Sequence, residues 1–497
     1  MTSFLLVIST SYAYPIFSAN DAKKIHQLGG FSIVNAWSFF SKRYDFLRSN
    51  REKTGHALFS FKVFQHQVVA MSGENARKVF FSEKDFSFEQ GHRLLRGAVP
   101  TLKDIKMMSE NSNVIMLNKR LLKIVRKDRL QSGKSYHGSA QSNTSTVIPT
   151  LVSDVNKRME AWGASGKMDP FKDIYDLVFQ LTIRLSTCEE LATNADSIKK
   201  ISALYWQYEK SITAVGLLLP WFPSTAKKHQ KQSTKDLYDI LSHYVDARRK
   251  AKVPNSDPFD VLIADGESNA VIVEFALLMI FAGVVNTAMI SCWTLFYLGA
   301  NNEWKNKVIA EVRNLISTYS DASSSEQIHE RFSSIPVSVW EDETPAIEGV
   351  IRETIRLIKT GPALRRNLGD NIQFADKTVD KGAYVVYNMA DVHLNEMVYS
   401  EPLKFDPSRF SPPREEDKQG HLLFLGWGAG RHICSGMKIA KLEIKMILAL
   451  FLSSYEYTLV GKSGMPLKES LQPDRNDIHQ SKPLGEPCFL QYRKNLE

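Results

Sequence analysis

The sequence predicts a mainly α-helical domain with a small β portion. After a polar segment that ends near residue 146, apolar residues recur at helical spacing as far as about residue 360. From His56 to Met71, apolar and polar residues instead alternate as in a strand, with Phe59 and Phe61 on one side. Hydrophobic residues make up 43% of the 497-residue chain, and no linker or internal repeat divides it. We therefore expect a single domain over residues 30–497.

The first 20 residues are uncharged and predict a short N-terminal membrane anchor. They contain the apolar run Phe4 to Ile8, and the first charged side chain is Asp21. Ser and Thr interrupt this run and Pro15 ends it, whereas a full span needs about 20 mostly apolar residues. A cleaved signal peptide is the alternative, but the positively charged start that such peptides carry is missing. We interpret residues 1–20 as a weak anchor.

Four segments follow in the first third of the chain. Val68 to Ala70 predicts a second strand, and Glu74 to Phe81 predicts a short helix. Phe86 to Pro100 is rich in aromatic and basic residues and is interpreted as an irregular loop. Residues 131–146 are polar and of low complexity, which predicts an exposed loop.

A long apolar helix is predicted over Val271 to Leu298. Glu274 is its only charged residue, and its length would suffice to cross a bilayer. We interpret it as a central buried helix, because it also carries small and polar residues, namely Gly283, Asn286, Thr287, Ser291 and Thr294.

Charge and cysteine content limit the function classes. The 63 Lys and Arg residues outnumber the 54 Asp and Glu residues, for a net charge of +9. These basic residues are scattered and no nucleic-acid-binding motif is present, so we expect no nucleic-acid partner. Only four cysteines occur, without metal-type pairing or disulfide density, which is typical of a reducing compartment.

Residues 427–436, with the sequence WGAGRHICSG, place one cysteine in a glycine-rich, basic loop. Gly428, Gly430 and Gly436 would allow close approach of the backbone to a flat ligand. A helical pattern begins at Met437, and nearby cations and a helix N-terminus favour the thiolate form of Cys434. The loop therefore predicts a haem-thiolate site; a buried structural cysteine is the alternative.

This loop resembles the cysteine-ligand loop of the cytochrome P450 family, aromatic-Gly-x-Gly-x-basic-x-Cys-x-Gly. Glu353 and Arg356 match the family's Glu-x-x-Arg, and His393, Pro402 and residues 405–410 match the segment whose arginine, here Arg409, completes that network. The resemblance implies the P450 fold, haem b (iron protoporphyrin IX) with Cys434 as axial ligand, and a structural Glu353, Arg356 and Arg409 network. A solvated surface pair is the alternative for Glu353 and Arg356.

The resemblance also implies cations for the haem propionates and an aromatic residue, Trp427, against the haem. His432 and either Arg365 or Arg366 occupy the matching positions. The family's Trp-x-x-x-Arg is absent, and the choice among the substitutes Lys119, Arg120 and Lys123 remains open.

The central helix departs from the family's Ala/Gly-Gly-x-Asp/Glu-Thr-Thr. Val285 stands in place of the acid and Asn286 in place of the first threonine. Asn286 can orient a water but cannot supply a proton, while Thr287 can act through water and Gly283 can allow a helix distortion. The alternative is that Asn286 only satisfies backbone groups at a kink. With Trp427, this pattern is similar to a subgroup that includes sterol and bile-acid hydroxylases and prostacyclin synthase.

The activity that the resemblance implies is monooxygenation of a hydrophobic small molecule of terpenoid, sterol or fatty-acyl type. Electrons would come from NADPH-cytochrome P450 reductase, an acidic flavoprotein, at the endoplasmic reticulum membrane with the catalytic domain facing the cytosol. Two basic faces would dock it: Lys438, Lys441 and Lys445, and an earlier cluster at Lys119, Arg120, Lys123, Arg126, Lys127 and Arg129. The predicted pocket walls are Phe86, Phe88, Leu94, Leu95, Trp206, residues 217–219, Phe275, Met279, Ala282 and residues 362–364.

Two other functions stay open from the sequence. A redox-independent isomerase or dehydratase of a peroxide is favoured by Val285 and Asn286 and opposed by the two basic faces. A non-catalytic haem-binding sensor would need neither a hydrophobic access path nor a reductase.

Overall fold

A computed structural model describes residues 24–95, 120–121, 147–218, 223–251, 257–320, 326–374, 376–467 and 471–495. The predicted anchor at residues 1–20, the predicted loop at residues 131–146 and all of the earlier basic cluster except Arg120 lie outside these ranges.

The described part of the chain is mainly helical, as predicted. The helices are α1 (Ser32–Ser41), α2 (Arg43–Thr54), α3 (Glu74–Ser82), α4 (Phe88–Leu95), α5 (Val147–Glu160), α6 (Pro170–Ser186), α7 (Glu189–Thr193), α8 (Ala195–Ser211), α9 (Ala214–Leu218), α10 (Thr225–Lys250), α11 (Pro258–Ala264), α12 (Asn269–Ala300), α13 (Asn302–Tyr319), α14 (Ile328–Ser333), α15 (Val337–Asp342), α16 (Pro345–Ile358), α17 (Ala390–His393) and α18 (Met437–Ser454).

The β portion is small and lies in three sheets within the described ranges. Its strands are β1 (His26–Gln27), β2 (Leu58–Val63), β3 (His66–Met71), β4 (Phe86–Ser87), β5 (Ser165–Met168), β6 (Pro362–Asn367), β7 (Ile372–Phe374), β8 (Lys377–Val379), β9 (Tyr384–Asn388), β10 (Tyr455–Val460) and β11 (Phe489–Lys494). The largest sheet has the order β1-β2-β3-β9-β6-β4; β10-β11-β5 and β7-β8 form the others.

Helix α12 is the central element of the core. Ser268 caps its start, with Oγ accepting a hydrogen bond from the backbone N–H of Val271. The helix packs against α6, α10, α16 and α18, and most of its residues are buried. Among the described residues it is the one helix long and apolar enough to cross a membrane, but half of its most apolar window is buried inside the protein. The prediction of a central buried helix is confirmed.

Three N-terminal predictions are confirmed and a fourth is wrong. Strands β2 and β3 and helix α3 form where the alternating and helical patterns predicted them. The segment from Phe86, predicted as an irregular loop, instead forms β4 and the helix α4. Helix α4 packs directly on β6, since a Cβ at Gly91 would lie 2.5 Å from the backbone of Arg365. This tertiary contact stabilises a short helix that its own sequence indicates only weakly.

Candidate active site

The loop that carries Cys434 is folded back on itself by backbone hydrogen bonds. The N–H of Cys434 donates to the carbonyl of Trp427 at 2.7 Å, and the N–H of Gly428 donates to the carbonyl of Leu425 at 2.9 Å. The N–H of Met437, the first residue of α18, donates to the carbonyl of Cys434 at 3.3 Å. The cysteine is therefore held at a fixed position between a tight turn and the start of a helix.

Two of the three loop glycines are required by protein contacts. Gly428 and Gly430 have φ of +76° and +60°. A Cβ at Gly428 would collide with the carbonyl oxygen of His432, and one at Gly430 with the carbonyl oxygen of Phe81. Gly436 differs, because its φ is −91° and no protein atom lies within 4 Å of the place where its Cβ would be. The space beside Gly436 is therefore open.

Cys434 is the one exposed cysteine among the four, all of which lie in the described ranges. Desolvation by the surrounding loop raises the pKa of the Cys434 thiol, while the N–H of Gly436 and the charge of Lys359 lower it. Cys188, Cys292 and Cys488 are buried, and burial raises the pKa of each thiol. Only Cys434 is therefore accessible to a ligand.

Glu353, Arg356 and Arg409 form a fully buried ion-pair network. Arg356 binds both carboxylate oxygens of Glu353 at 2.8 Å, and Nε of Arg409 donates to Oε1 of Glu353 at 3.0 Å. Arg409 also donates to Glu416 at 2.7 Å. The side chains of Glu353, Arg356 and Arg409 are 0% exposed, which excludes the alternative of a solvated surface pair. The predicted contacts among these three residues are present.

His393 connects this network to the cysteine loop. Nη1 of Arg356 donates to the carbonyl of His393 at 2.5 Å. Nε2 of the His393 ring accepts from the N–H of Leu425 at 2.9 Å, so Nδ1 must carry the proton that it donates to the carbonyl of Lys359, 3.0 Å away. Burial and the charge of Arg356 lower the pKa of His393 to about 3, which keeps the ring neutral. The sequence singled out His393 only as part of a matching segment.

The structure separates the two candidate arginines. Adjacent strand residues point to opposite faces, and Arg365 and Arg366 follow this rule in β6. Arg365 is buried with its guanidinium over the ring of Phe88, which also lies 5.7 Å from the ring of His432. Arg366 donates to the carbonyl of Gly382 on the other face. Arg365, not Arg366, lies beside His432 and the cysteine loop.

Arg365 affects the protonation of His432. Desolvation and the charge of Arg365 lower the pKa of His432, and burial lowers the pKa of Arg365 to about 10. Arg365 remains a cation at neutral pH, and its buried Nε has no hydrogen-bond partner among the described residues.

The prediction of a free basic face on α18 is wrong for two of its three lysines. Lys445 is 1% exposed and donates to the carbonyl of Trp340 at 2.7 Å, and Lys441 is paired with Glu348. Helical spacing does place these lysines on one face of α18, but that face packs against α15 and the start of α16. There Glu348 pairs with both Lys441 and Lys445. Lys438 is 63% exposed and lies 3.2 Å from Glu341. In the earlier cluster the described residue, Arg120, is paired with Glu267.

The accessible face of α12 carries Leu278, Ala282 and Asn286 at intervals of four residues, along a helix whose other faces are mostly buried. Nδ2 of Asn286 donates to the carbonyl of Ala282 at 2.9 Å, and Oδ1 accepts from Nζ of Lys359 at 2.5 Å. Lys359, the residue after α16, was not predicted as a site residue. In the sequence, the only signal for Lys359 is its position between the Glu-x-x-Arg helix and the following strand.

Gly283 and Thr287 do not share this accessible face. A Cβ at Gly283 would meet Thr182 of α6 at 3.3 Å, and Thr287 is 2% exposed. Helix α12 runs without interruption through both residues, so the expected distortion at Gly283 is absent from this structure. The alternative interpretation was that Asn286 only satisfies backbone groups at a kink. Its side chain does donate to a backbone carbonyl, but it also accepts from Lys359, and α12 has no interruption at this residue.

Several predicted pocket walls are core residues. Phe86, Leu95, Phe275 and Leu364 are at most 2% exposed and belong to the hydrophobic clusters. Apolar composition cannot distinguish a pocket wall from a packed core, which explains these errors. Met279 and Ala282 keep accessible surface. A separate cavity of about 200 Å³ lies between α1, α9 and residues 476–479, and Leu217 lines it.

The comparisons with known proteins agree with this geometry. The family model described as Cytochrome P450 matches residues 31–483. The chain belongs to the cytochrome P450 family. It is 28% identical to the cytochrome P450 monooxygenase AacuE of Aspergillus aculeatus, covering 100% of this chain and 99% of that protein. A sterol 14alpha-demethylase of Mycolicibacterium vanbaalenii is 25% identical over 88% of this chain and 90% of its own length.

The fold is that of solved P450 structures. The retinoic acid-bound cyanobacterial CYP120A1 superposes with a TM-score of 0.72 at 19% identity, over 95% of this chain and 100% of that one. The protein is thus a P450 monooxygenase of mainly α architecture, and the family implies a haem-thiolate cofactor.

The residues present fit such a cofactor. Cys434 is exposed, the space beside Gly436 is open, and buried Arg365 offers an unpartnered Nε close to His432. The indole N–H of Trp427 is also buried without a partner among the described residues. An iron porphyrin with carboxylate side chains would complement these groups, with the Cys434 thiolate on the metal and Arg365 near the carboxylates.

Proposed function

We propose that this P450 inserts one oxygen atom from dioxygen into a hydrophobic small molecule of terpenoid, sterol or fatty-acyl type, with electrons from NADPH-cytochrome P450 reductase. The observation that carries this proposal is the single exposed cysteine, Cys434, held by backbone hydrogen bonds in a glycine turn. The reaction consumes two electrons and two protons and releases the second oxygen atom as water.

Cys434 is the proposed axial ligand of haem b. Bound haem supplies the iron chemistry of oxygen activation, which a thiolate ligand favours by donating electron density. The protein positions and insulates this centre. Gly428 and Gly430 shape the loop, and His393 connects it to the Glu353 network. Arg365 provides positive charge for the propionates, and His432, whose pKa is lowered by desolvation and by Arg365, provides a ring N–H.

Asn286 is the proposed oxygen-side residue on α12. It lies on the accessible face, whereas Thr287 and Gly283 face the core, so a role for either of those two has less structural support. A side-chain amide can hold a water by hydrogen bonds, although it cannot supply a proton itself.

The accessible face of α12 supports a hydrophobic substrate. Leu278, Met279 and Ala282 provide apolar surface leading to Asn286. Apolar walls with a few polar groups are typical of small-molecule pockets. One relative is named a sterol demethylase, which is consistent with a sterol or a molecule of similar size.

Fewer basic residues are available for reductase docking near Cys434 than the sequence predicted. The pairing of Lys441 and Lys445 with Glu348 leaves Arg431 and Lys438 as exposed basic side chains near Cys434. Complementary charge at such positions would steer an acidic flavoprotein towards the loop.

A peripheral position on the endoplasmic reticulum membrane, with the catalytic domain in the cytosol, is part of the proposal. Phe31, Ile33, Val34 and Trp37 are each about half exposed and lie at or within α1, close to the predicted anchor in sequence. Exposed apolar residues that cluster in this way are typical of membrane-contacting surfaces. Vesicle flotation of the protein with Phe31, Ile33, Val34 and Trp37 changed to Ser should show reduced binding; unchanged flotation would contradict this surface.

The central test is the absorption spectrum of the reduced protein under carbon monoxide. We expect the Soret band at the thiolate-specific position, formed when NADPH and the reductase are the source of electrons. Cys434→Ser should remove this band, and the buried Cys488→Ser should retain it. A thiolate band in the Cys434→Ser protein would contradict the ligand assignment.

The rival isomerase or dehydratase differs in its need for electrons. Its supporting observation remains the lack of an acid on the accessible face of α12 near Asn286. If a thiolate band forms with dithionite but never with NADPH and reductase, the isomerase becomes the better description. A sensor would show neither turnover nor reductase-dependent reduction.

A further inference from the structure

The indole N–H of Trp427 is a buried donor that the proposed function does not yet use. Its Nε1 atom is inaccessible to solvent and has no hydrogen-bond partner among the described residues. A buried N–H without an acceptor is destabilising, because it has lost its contact with water and gained no other partner. We therefore expect an acceptor on a group that binds beside Trp427.

Trp427 is fixed in position from two sides. Its carbonyl accepts from the N–H of Cys434 at 2.7 Å, which closes the turn that carries the cysteine. Its ring packs against the main hydrophobic cluster, and Nζ of Lys441 lies 5.8 Å from the ring centroid. Lys441 belongs to α18, which begins at Met437, directly after the cysteine turn. The indole is therefore held between this turn and the first part of α18.

The acceptors within the cysteine turn differ in strength. The carbonyls of Leu425, Trp427 and Cys434 are neutral, and each already accepts a backbone N–H. The sulfur of Cys434 becomes an anion when it binds a metal, because the thiolate is the form that acts as a ligand. Hydrogen bonds to an ionised acceptor are stronger than those to a neutral one. The metal-bound sulfur is thus the strongest acceptor that the turn can offer the indole.

We infer that the indole N–H of Trp427 donates a hydrogen bond to the thiolate sulfur of Cys434 in the haem-containing protein, and so raises the reduction potential of the iron. Hydrogen bonds around a ligating sulfur are one of the means by which a protein sets this potential. Reduction adds negative charge to the iron and its ligand, so the bond is stronger in the reduced state. Trp427 thereby favours electron transfer from the reductase. This inference rests on the proposed ligation of haem by Cys434.

The test is a spectroelectrochemical titration of the haem-containing wild type and Trp427→Phe, followed at the Soret band. Phenylalanine keeps an aromatic ring in the turn but has no N–H. We expect the equilibrium constant for one-electron reduction to fall about tenfold in the variant, as the loss of one charge-assisted hydrogen bond predicts. A tenfold change corresponds to a reduction potential lower by about 59 mV. Resonance Raman spectroscopy should show a higher iron–sulfur stretching frequency, because the sulfur then donates more charge to the iron.

Two further proteins separate the donor from the packing of the ring. The first has Trp427 replaced by 3-benzothienylalanine, which keeps the shape of the indole but has sulfur in place of the N–H. It should shift the potential and the stretching frequency as Trp427→Phe does. The second is the matched control Trp340→Phe. Trp340 also has a buried indole N–H without a partner among the described residues, but it belongs to α15, so both readouts should stay at their wild-type values.

The outcomes distinguish this inference from the proposed function. If the carbon monoxide spectrum shows the thiolate band but both Trp427 variants keep the wild-type potential, the inference is overturned and the ligation by Cys434 remains. If Trp427→Phe shifts the potential and the benzothienyl protein does not, ring packing is the cause and the inference is again overturned. If the wild type lacks the thiolate band, the ligand assignment fails and this inference fails with it.

Discussion

The cysteine loop and the accessible face of α12 are held in different ways. The loop is tied by backbone hydrogen bonds, by two glycines that no other residue can replace, and through His393 to a buried network in which every charge is paired. On the accessible face, Asn286 bonds Lys359 and the carbonyl of Ala282, and Leu278 and Ala282 present apolar side chains.

This difference matches what each region must do. The electronic properties of a metal depend on a fixed ligand, so the cysteine side gains from rigidity. The opposite side must admit molecules and release products, and it therefore has accessible surface in place of packed contacts. We expect substitutions on the cysteine side to reduce stability, and substitutions on the accessible face to alter binding while leaving stability unchanged.

The largest expected effect is that of Glu353→Gln. It leaves Arg356 buried without its carboxylate partner and leaves Arg409 with Glu416 alone, and breaking a buried pair on one side lowers the free energy of unfolding by about 3–5 kcal/mol. Denaturant unfolding measures this loss. The control is Glu303→Gln, which removes an exposed ion pair with Lys307 and should change stability by less than about 0.5 kcal/mol. Equal losses in the two variants would contradict the distinction between the regions.

Gly430→Ala and Gly436→Ala test which loop glycine is required by protein contacts and which lies beside open space. Gly430 has a positive φ and faces the carbonyl of Phe81, so alanine there should lower the free energy of unfolding by about 2 kcal/mol or more. Gly436 has open space and a negative φ, so alanine should leave the haem-free protein as stable as the wild type. If the haem lies beside Gly436, this variant should nevertheless lose haem faster, which absorbance at the Soret band would show.

How well the sequence predicts each region depends on how far apart in the chain its contacting residues lie. Glu353 and Arg356 share one helix turn, and Cys434 sits in a contiguous ten-residue motif, so local spacing was sufficient. The partners of Lys441 and Lys445 lie about ninety residues earlier in the chain, and helical spacing alone could not reveal that Glu348 neutralises both. The pairing of Lys359 with Asn286 was missed for the same reason.

His393→Gln tests the connection between network and loop through its pH dependence. The pKa of His393 is about 3 in the folded protein and 6.5 without burial, so below pH 6.5 only the unfolded chain gains a proton. This contribution to wild-type stability is therefore complete above pH 6.5 and is lost as the pH falls towards 3. We expect the stability advantage of the wild type over His393→Gln to shrink by about 2 kcal/mol between pH 6.5 and pH 5. A constant difference across that range would mean that His393 is solvated.

The smallest expected effect on stability belongs to Ala282→Leu, on the accessible face. Leucine is a good helix former and the side chain enters open space, so the free energy of unfolding should change by less than about 0.5 kcal/mol. The matched control, Ala276→Leu on the same helix, overpacks a fully buried position and should lower stability by about 1–3 kcal/mol. Binding should show the reverse order, because only residue 282 lies on the path to Asn286. Titration of the haem-containing protein with lauric acid, followed at the Soret band, decides this: if Ala282→Leu binds the probe as tightly as the wild type, the substrate does not lie along this face of α12.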